Sequence, residues 1–574
     1  MTPAAAANPS EAPPATDRRR LDEAVARVRE AARGWALAPL PEKAALARDL
    51  LAGAGRNAER MVRAACAAKG LAFDTPPAGD EWLAGVYPAV RLLRQLAESL
   101  DALAARGTTP LGAFGETDDG RTTARVFPAS RLDPLLFPFV RGEVHFLAGV
   151  GRREVDETRG AFHRRPSHDG RVCLVLGAGN VNSIAPMDVA TKLFIEGKAC
   201  VLKMNPVNAY AGPILEDAFA PAIRRGALTI VYGGRDEGDY LAHHPGIDEV
   251  HLTGSNATHD AIVWGPPGPE REARKARREP LLEKPITSEL GDISPVLVAP
   301  GPWDERTLAF QAEGVAGAMA QNGSFNCLAA RVLVLPRGWR HRERFLALVE
   351  RALGATPPRP AWYPGALDRL ARLVEGRAEV RRVTGAEGTA PWTLVTGLDP
   401  AVADRAFTTE FFCPALVETE VGSDDPVEFL DAAVAFANER VWGTLGAAIL
   451  APAPVVSDPV TGAAVRRAVR RLHYGTVAVN CFTGYGYALA SMPWGGFPGQ
   501  PLDDVKSGRG FVHNSRMLEG VEKSVIWHPA THPLKPPYFP SHRTTHRMGP
   551  PLVRLEARRD LLALGPLVAA ALRG

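Results

Sequence analysis

Cysteine is scarce in this sequence. Cys66, Cys173, Cys200, Cys327, Cys413 and Cys481 are scattered over 574 residues, with no CxxC pair and no metal-ligand spacing. That argues against a disulfide framework and a cysteine-held metal, and it fits free thiols in a reducing cytoplasm. Long apolar runs are missing as well. No stretch reaches the roughly 18 residues that a membrane-crossing helix needs, so no membrane span is expected. An excess of one charge is also absent: 67 Lys and Arg face 64 Asp and Glu, a net charge of +3. That balance implies neither nucleic acid nor a membrane surface as a partner. No internal repeat is visible. Residues 1–16, mostly Ala, Pro, Thr, Ser and Asn, lack an apolar core. They read as a disordered tail rather than a signal peptide.

The hydrophobic fraction of 46% is ordinary for a globular chain, and the length is too great for one core. Two or three domains of roughly 100–200 residues are expected. Residues 17–106 read as helices, with Leu21, Ala24, Val28 and Ala31 at helical spacing. From residue 171 the pattern becomes a strand–helix alternation. Arg171-Val172-Cys173-Leu174-Val175-Leu176 runs into the turn Gly177-Ala178-Gly179-Asn180, a helix follows, and Ala199-Cys200-Val201-Leu202-Lys203 is the next strand. Further strands lie at 228–232 and 248–255. This alternation predicts an α/β fold with a mostly parallel sheet that binds ligands at the carboxyl ends of its strands. A second α/β region spans 288–450. Residues 265–278 read as a solvated loop or short surface helix. The last fifty residues, rich in proline, read as an extended arm closed by a helix over 555–572. His542 and His546 lie four apart, but the neighbouring Pro540 gives no firm helix to make them a metal pair, and no metal is expected.

The stretch that organises the chain is Gln321-Asn322-Gly323-Ser324-Phe325-Asn326-Cys327, followed by the apolar run Val332-Leu333-Val334-Leu335. Alone, Cys327 reads as a buried packing residue. On an amide-rich turn before a strand, a thiol can instead be reached by substrate, with backbone N–H groups near a developing charge. Other segments change the balance: Asn180 after its glycine turn, Lys203 ending the next strand, Glu289-Leu290-Gly291-Asp292-Ile293-Ser294-Pro295, and Glu410-Phe411-Phe412-Cys413-Pro414. In this order they resemble the aldehyde dehydrogenase superfamily. Its Glu-Leu-Gly-Gly-x-Ser-Pro motif is met except at Asp292, and its Glu-x-Phe-Gly-Pro motif except at Cys413. Thr253-Gly254-Ser255 is similar to its cofactor turn, and Val479-Asn480-Cys481 and Pro493-Trp494-Gly495-Gly496-Phe497 are similar to its C-terminal segments. The resemblance covers roughly residues 17–515.

The resemblance implies a Rossmann-like cofactor domain (169–286) joined by an N-terminal helical part (17–149), and a catalytic domain (287–475). It also implies a small oligomerisation strand arm (150–168 with 476–525), leaving residues 526–574 as an extension. It implies oxidation of a small-molecule aldehyde to a carboxylic acid with NAD or NADP, in a cytoplasmic homodimer or homotetramer. Cys327 would be the nucleophile, Asn180 the oxyanion donor and Glu289 the general base. Lys203, Gly254, Ser255, Glu410 and Phe412 would bind the cofactor. Asn182 is an alternative to Asn180, and Ser255 can equally be a plain helix cap. Cys413 and Cys481 read as packing residues. Three departures matter. Pro206 stands where an acidic residue would clamp the adenosine 2′-hydroxyl, leaving NAD against NADP open. His259 replaces a second glycine of the cofactor turn, and residues 498–506 are an insertion. A CoA-acylating relative and a non-catalytic nucleotide binder are the competing readings. Glu289 argues against the first, and the whole set Cys327, Glu289 and Asn180 against the second.

Overall fold

The computed structural model describes residues 12–384 and 389–574. Two sheets organise it. The smaller has six strands in the order Gly508–Arg509, Ile286–Glu289, Glu249–Thr253, Val172–Leu176, Ala199–Lys203 and Leu228–Val231. All run parallel except Gly508–Arg509. Chain order reverses at Val172–Leu176, whose two neighbours are the second and the fourth strands of the series. Such a reversal opens a crevice at the carboxyl ends of the strands. Asn180, Lys203 and Gly254 all sit at those ends.

The period-2 geometry of a strand explains why these runs are apolar throughout. Cys173 and Val175 enter a core shared with the N-terminal helices Leu40–Ala68 and Tyr87–Arg106. Val172, Leu174 and Leu176 face the other way, against Leu21, Val25 and Val28 of helix Arg18–Leu37. Each such fully buried side chain contributes about 1.5–3 kcal/mol of transfer free energy. The N-terminal helices therefore share the core of this sheet.

The larger sheet has eleven strands. Seven run parallel in the order Val521–Trp527, Thr476–Val479, Gly446–Leu450, Pro295–Val298, Val332–Pro336, Ala415–Val421 and Trp392–Leu398. Arg141–Phe146, Thr122–Phe127 and Phe114–Glu116 extend one edge antiparallel, and Val380–Thr384 closes the other. Leu333 and Leu335 point into one core while Val332 and Val334 point into the opposite one.

Several sequence expectations change here. Residues 150–168 form helix Arg152–Thr158 and a single turn, Ala161–Arg164, rather than a strand. Val155 is the one buried residue of that helix, and Arg153 pairs with Glu157 one turn on, so helical spacing beats alternation. The antiparallel strands come from 114–146 instead, where Ala124, Val126, Phe127, Val144 and Phe146 are buried. Strands 476–479 and 521–527 lie inside the large sheet, so the unit built on it runs past residue 475. The expected disordered tail falls mostly outside the described residues, but Thr16 already exchanges hydrogen bonds with Tyr232. Residues 265–278 do contain a short surface helix, Pro269–Arg277. No helix among the described residues is long and apolar enough to cross a membrane.

The C-terminal arm is more helical than its prolines suggest. Helix Thr545–Arg558 carries Pro550 and Pro551 internally, and Leu564–Leu572 follows. Burial of Met548, Leu552, Val553 and Leu555 offsets the lost backbone bonds. A Cβ on Gly549 would meet Trp82 at 2.2 Å, so the helix lies directly on the N-terminal helices. Glu556 anchors it, accepting from Arg91 at 2.6 Å and also from Arg94, while Arg91 reaches Asp133 at 2.8 Å, all buried. Glu556→Ala leaves two buried guanidiniums short of a partner and should cost about 3–5 kcal/mol. A fall in the chemical-denaturation midpoint of the full chain reads that loss.

Candidate active site

The loop that carries Cys327 is held from three sides. Asn322, Gly323 and Ser324 adopt left-handed backbone (φ 55°, 70° and 70°), which bends the chain between helix Glu305–Ala320 and strand Val332–Pro336. Asn322 donates from Nδ2 to Asn180 O at 3.0 Å and Phe325 O at 2.8 Å. The Lys69 ammonium donates to Asn322 Oδ1, Asn180 O and Glu81. From below, the buried Arg331 guanidinium donates to Ser324 O, Asn326 O and Cys413 O. Sequence reasoning passed over Arg331 and Lys69. The signal for Arg331 was present: a cation opening a fully buried strand must find acceptors at once.

Cys327 is half-buried and faces Glu289, which is buried at the end of strand Ile286–Glu289. Burial, then the carboxyls of Glu289 and Glu410, hold the Cys327 thiol well above its ordinary range. Burial likewise pushes the Glu289 carboxyl up to about 8, with Asp188 and Glu410 adding to it and the Cys327 thiol and Trp494 indole opposing it. Among the described residues Glu289 Oε1 has no hydrogen-bond partner. Asn180 lies beside them, its Nδ2 donating to Phe325 O at 3.2 Å. Its neighbour Asn182 instead bonds Tyr210 and Asn208, away from the thiol.

Two cavities meet at Cys327 and Asn180. One, of about 770 Å³, runs from the thiol along the carboxyl ends of the six-stranded sheet. Lys203, Gly254, Ser255, Glu289, Glu410 and Phe412 all line it. The other, of about 220 Å³, leaves the thiol on the far side. The structure thus brings every sequence-identified site residue to the first cavity, with Glu289 and Asn180 beside the Cys327 thiol.

The larger cavity has the volume and the polar groups that a dinucleotide needs. Glu410 Oε1 is buried without a partner among the described residues. Its carboxylate lies over Gly291, where a Cβ would come within 1.9 Å of it. Burial lifts Glu410 to about 7 against the pull of Arg331. Phe412, in left-handed backbone (φ 35°), packs on Tyr363 at 4.9 Å between ring centres. At the other end burial lowers Lys203 to about 8, with Glu237 opposing. Pro206 and Arg235 line the wall beside it. Ser255 caps helix Asn256–Trp264 by accepting from Thr258 N, so the cap reading holds. Tyr363 and Trp442, from loops, and Arg369, from helix Ala366–Val374, also line this cavity and were missed, because none belongs to a motif of its own.

The departures from the family pattern have structural explanations. His259 is fully buried in its helix and does not line the cavity. Asp292 is buried, accepts from Ser294 N, Ser294 Oγ and Gly446 N, and is pushed up to about 7 by burial. It ties the Glu289 motif to strand Gly446–Leu450, and Gly443 makes room, since a Cβ there would meet its carboxylate at 1.9 Å. Cys413 and Cys481 are buried packing residues. His542 bonds Thr545 rather than His546. No group of three or more His, Cys, Asp or Glu is placed to hold a metal among the described residues.

Known proteins resemble this chain in sequence and in fold. A family model described as "Aldehyde dehydrogenase family" matches residues 147–508, more than half of the chain. The aminoacetaldehyde dehydrogenase of Pseudomonas aeruginosa is 29% identical over 326 residues, covering 52% of this chain and 57% of that protein. The match therefore spans less than two thirds of the relative's own length. An NADP-dependent glyceraldehyde-3-phosphate dehydrogenase from Bacillus halodurans, solved with NADP, superposes with a TM-score of 0.61 at 17% identity, covering 91% of this chain and 95% of its own. A Mycobacterium tuberculosis aldehyde dehydrogenase solved with NAD+ gives 0.60 at 20% identity, covering 89% and 91%.

Proposed function

Because this chain belongs to the aldehyde dehydrogenase family, we propose that it oxidises an aldehyde to a carboxylic acid with NAD or NADP. The observation that carries the reading is the convergence of Cys327 and Asn180, where the two cavities meet, with Glu289 on the wall of the larger one. Cys327 releases its proton to solvent through the open cavity, and its sulfur bonds to the aldehyde carbon, moving the carbonyl electron pair onto oxygen. The Asn180 amide turns from Phe325 O to that oxyanion. A dinucleotide held in the larger cavity would supply the hydride acceptor, and loss of hydride from the substrate carbon would leave a thioester on Cys327. Glu289 takes a proton from water, the hydroxide adds to the thioester, and the C–S bond breaks to release the acid and restore the thiolate.

Lys203, Glu410, Gly254, Ser255 and Phe412 would hold the dinucleotide, Lys203 and Glu410 at its two riboses. Pro206 supports acceptance of a 2′-phosphate, because no carboxylate stands at that position to repel it. Lys203→Ala should raise the dinucleotide KM by about tenfold, one charge-assisted hydrogen bond of ~1.5 kcal/mol, with kcat nearly unchanged. Initial rates over a dinucleotide series read this split. A cytoplasmic location and a homodimer or homotetramer belong to the same reading. Six free cysteines support the first, and the edge strand Phe114–Glu116 offers a surface for the second.

The test is NAD(P)H formation by the purified chain over an aldehyde panel, with NAD and with NADP, with and without CoA. Turnover without CoA is the expected result. Strict dependence on CoA would replace water as the acceptor and remove the role given to Glu289.

A further inference from the structure

The smaller cavity ends in a wall that the family model does not reach. Its match stops at residue 508, yet Tyr538, Met548, Leu552, Leu567, Val568 and Ala571 all line the space that leads to Cys327. Resting on the aldehyde reading above, we propose that residues 528–574 select the substrate. The chamber they close takes an uncharged, apolar aldehyde whose body is about one aromatic ring in size.

Three observations support this. The first is volume: an apolar protein cavity of about 150 Å³ accepts benzene, and this one measures about 220 Å³.

The second is charge. Every ionisable side chain on the wall is already engaged or neutral. Asp80 pairs with Arg359 and accepts from Asn322 N. Lys535 donates to Ser541 O and Gly574 O. His528 and His532 are held neutral by burial, His532 down to about 4. A charged substrate tail would lose its water, and among the described residues the one cation on this wall, Lys535, already holds two backbone carbonyls.

The third is rigidity. Glu556 is clamped by Arg91 and Arg94, Thr544 Oγ1 donates to Ala570 O at 2.6 Å, and Met548, Leu552 and Leu567 share one core with Tyr87. The arm is a fixed wall, and entry is left to its rim. Val568 is 42% exposed and Leu135 57% exposed while both line the cavity, which places them at the mouth.

The experiment compares kcat/KM for benzaldehyde, hexanal and octanal with that for propanal and for succinic semialdehyde, on wild type, Val568→Trp and Val568→Ala. Titration calorimetry with hexanamide, an unreactive apolar ligand, runs beside it. Benzaldehyde and hexanal should exceed succinic semialdehyde by about 100-fold, as an apolar site without a partner for the carboxylate requires. Val568→Trp should lower the two larger substrates by about tenfold and propanal by less than about threefold, with an unchanged melting temperature. Val568→Ala, which cannot crowd the fold, should favour aldehydes longer than hexanal. Preference for the charged aldehyde, or equal effects of Val568→Trp on all substrates, would overturn the proposal. Hexanamide binding that Val568→Trp weakens, in a protein that oxidises no aldehyde, would uphold the chamber and sink the aldehyde reading. Turnover of small charged aldehydes without hexanamide binding would do the reverse.

Discussion

Cys327→Ala should lower NAD(P)H formation by about 10⁴-fold or more, the loss typical of removing an enzymic nucleophile. Without Sγ no covalent adduct forms, the substrate carbon keeps its hydride, and no thioester follows. The fold should be unaffected. The side chain is half-buried and opens on two cavities, so truncation enlarges an existing space rather than creating a void. The loop keeps its shape through Asn322, Lys69 and Arg331, none of which bonds the thiol. The variant should therefore melt within a degree or two of wild type and bind dinucleotide with similar affinity. Steady-state absorbance, a melting curve and a dinucleotide titration make the distinction. Cys413→Ala is the control. That buried thiol faces Arg331 and Arg369 rather than a cavity, so its loss should affect stability and not the chemical step. Turnover retained by Cys327→Ala would remove covalent catalysis from this site.

What the sequence made legible was what local chemistry dictates. The glycine turn after Val172–Leu176, the lysine ending Ala199–Lys203 and the amide-rich thiol turn are short-range patterns, and each lies at the larger cavity. The two-sheet α/β architecture followed from runs that are apolar on both faces. The strand arm was misplaced because residues 114–146 and 150–168 are both mixed in composition, and only pairing with Val521–Trp527 decides which becomes sheet. The smaller cavity was illegible for a stronger reason. Its wall joins Tyr87 to Leu552 and Leu567 of the C-terminal arm, an arm held in place by contacts such as Tyr87–Glu556, 469 positions apart. Proline also argued against the helix Thr545–Arg558, which persists because Trp82, Arg91 and Arg94 receive it. Tertiary burial overrode local propensity there.

Glu289→Gln should separate the two halves of the reaction. The first half needs Cys327, Asn180 and the dinucleotide, so one equivalent of NAD(P)H per site should still appear in a rapid burst. The second half needs a base for water, and steady-state turnover should fall by about 10²–10⁴-fold. An isosteric amide cannot take the proton. In the wild type, with the carboxyl pushed up to about 8, the base is mostly protonated at neutral pH. The hydrolytic rate should climb through pH 7 to 9, whereas Glu289→Gln should show a flat residual rate.

Stability moves the opposite way. Between the ordinary glutamate range and about 8 the unfolded chain releases a proton that the folded chain keeps. Folding stability therefore falls as pH rises, by up to about 1.4 kcal/mol per unit. Glu289→Gln removes that dependence and should melt at the same temperature or higher at pH 8. A variant slower at every pH and also less stable would make Glu289 a structural carboxylate. Loss of turnover with stability held or raised, and a preserved burst, is what a buried base kept ready for water should give.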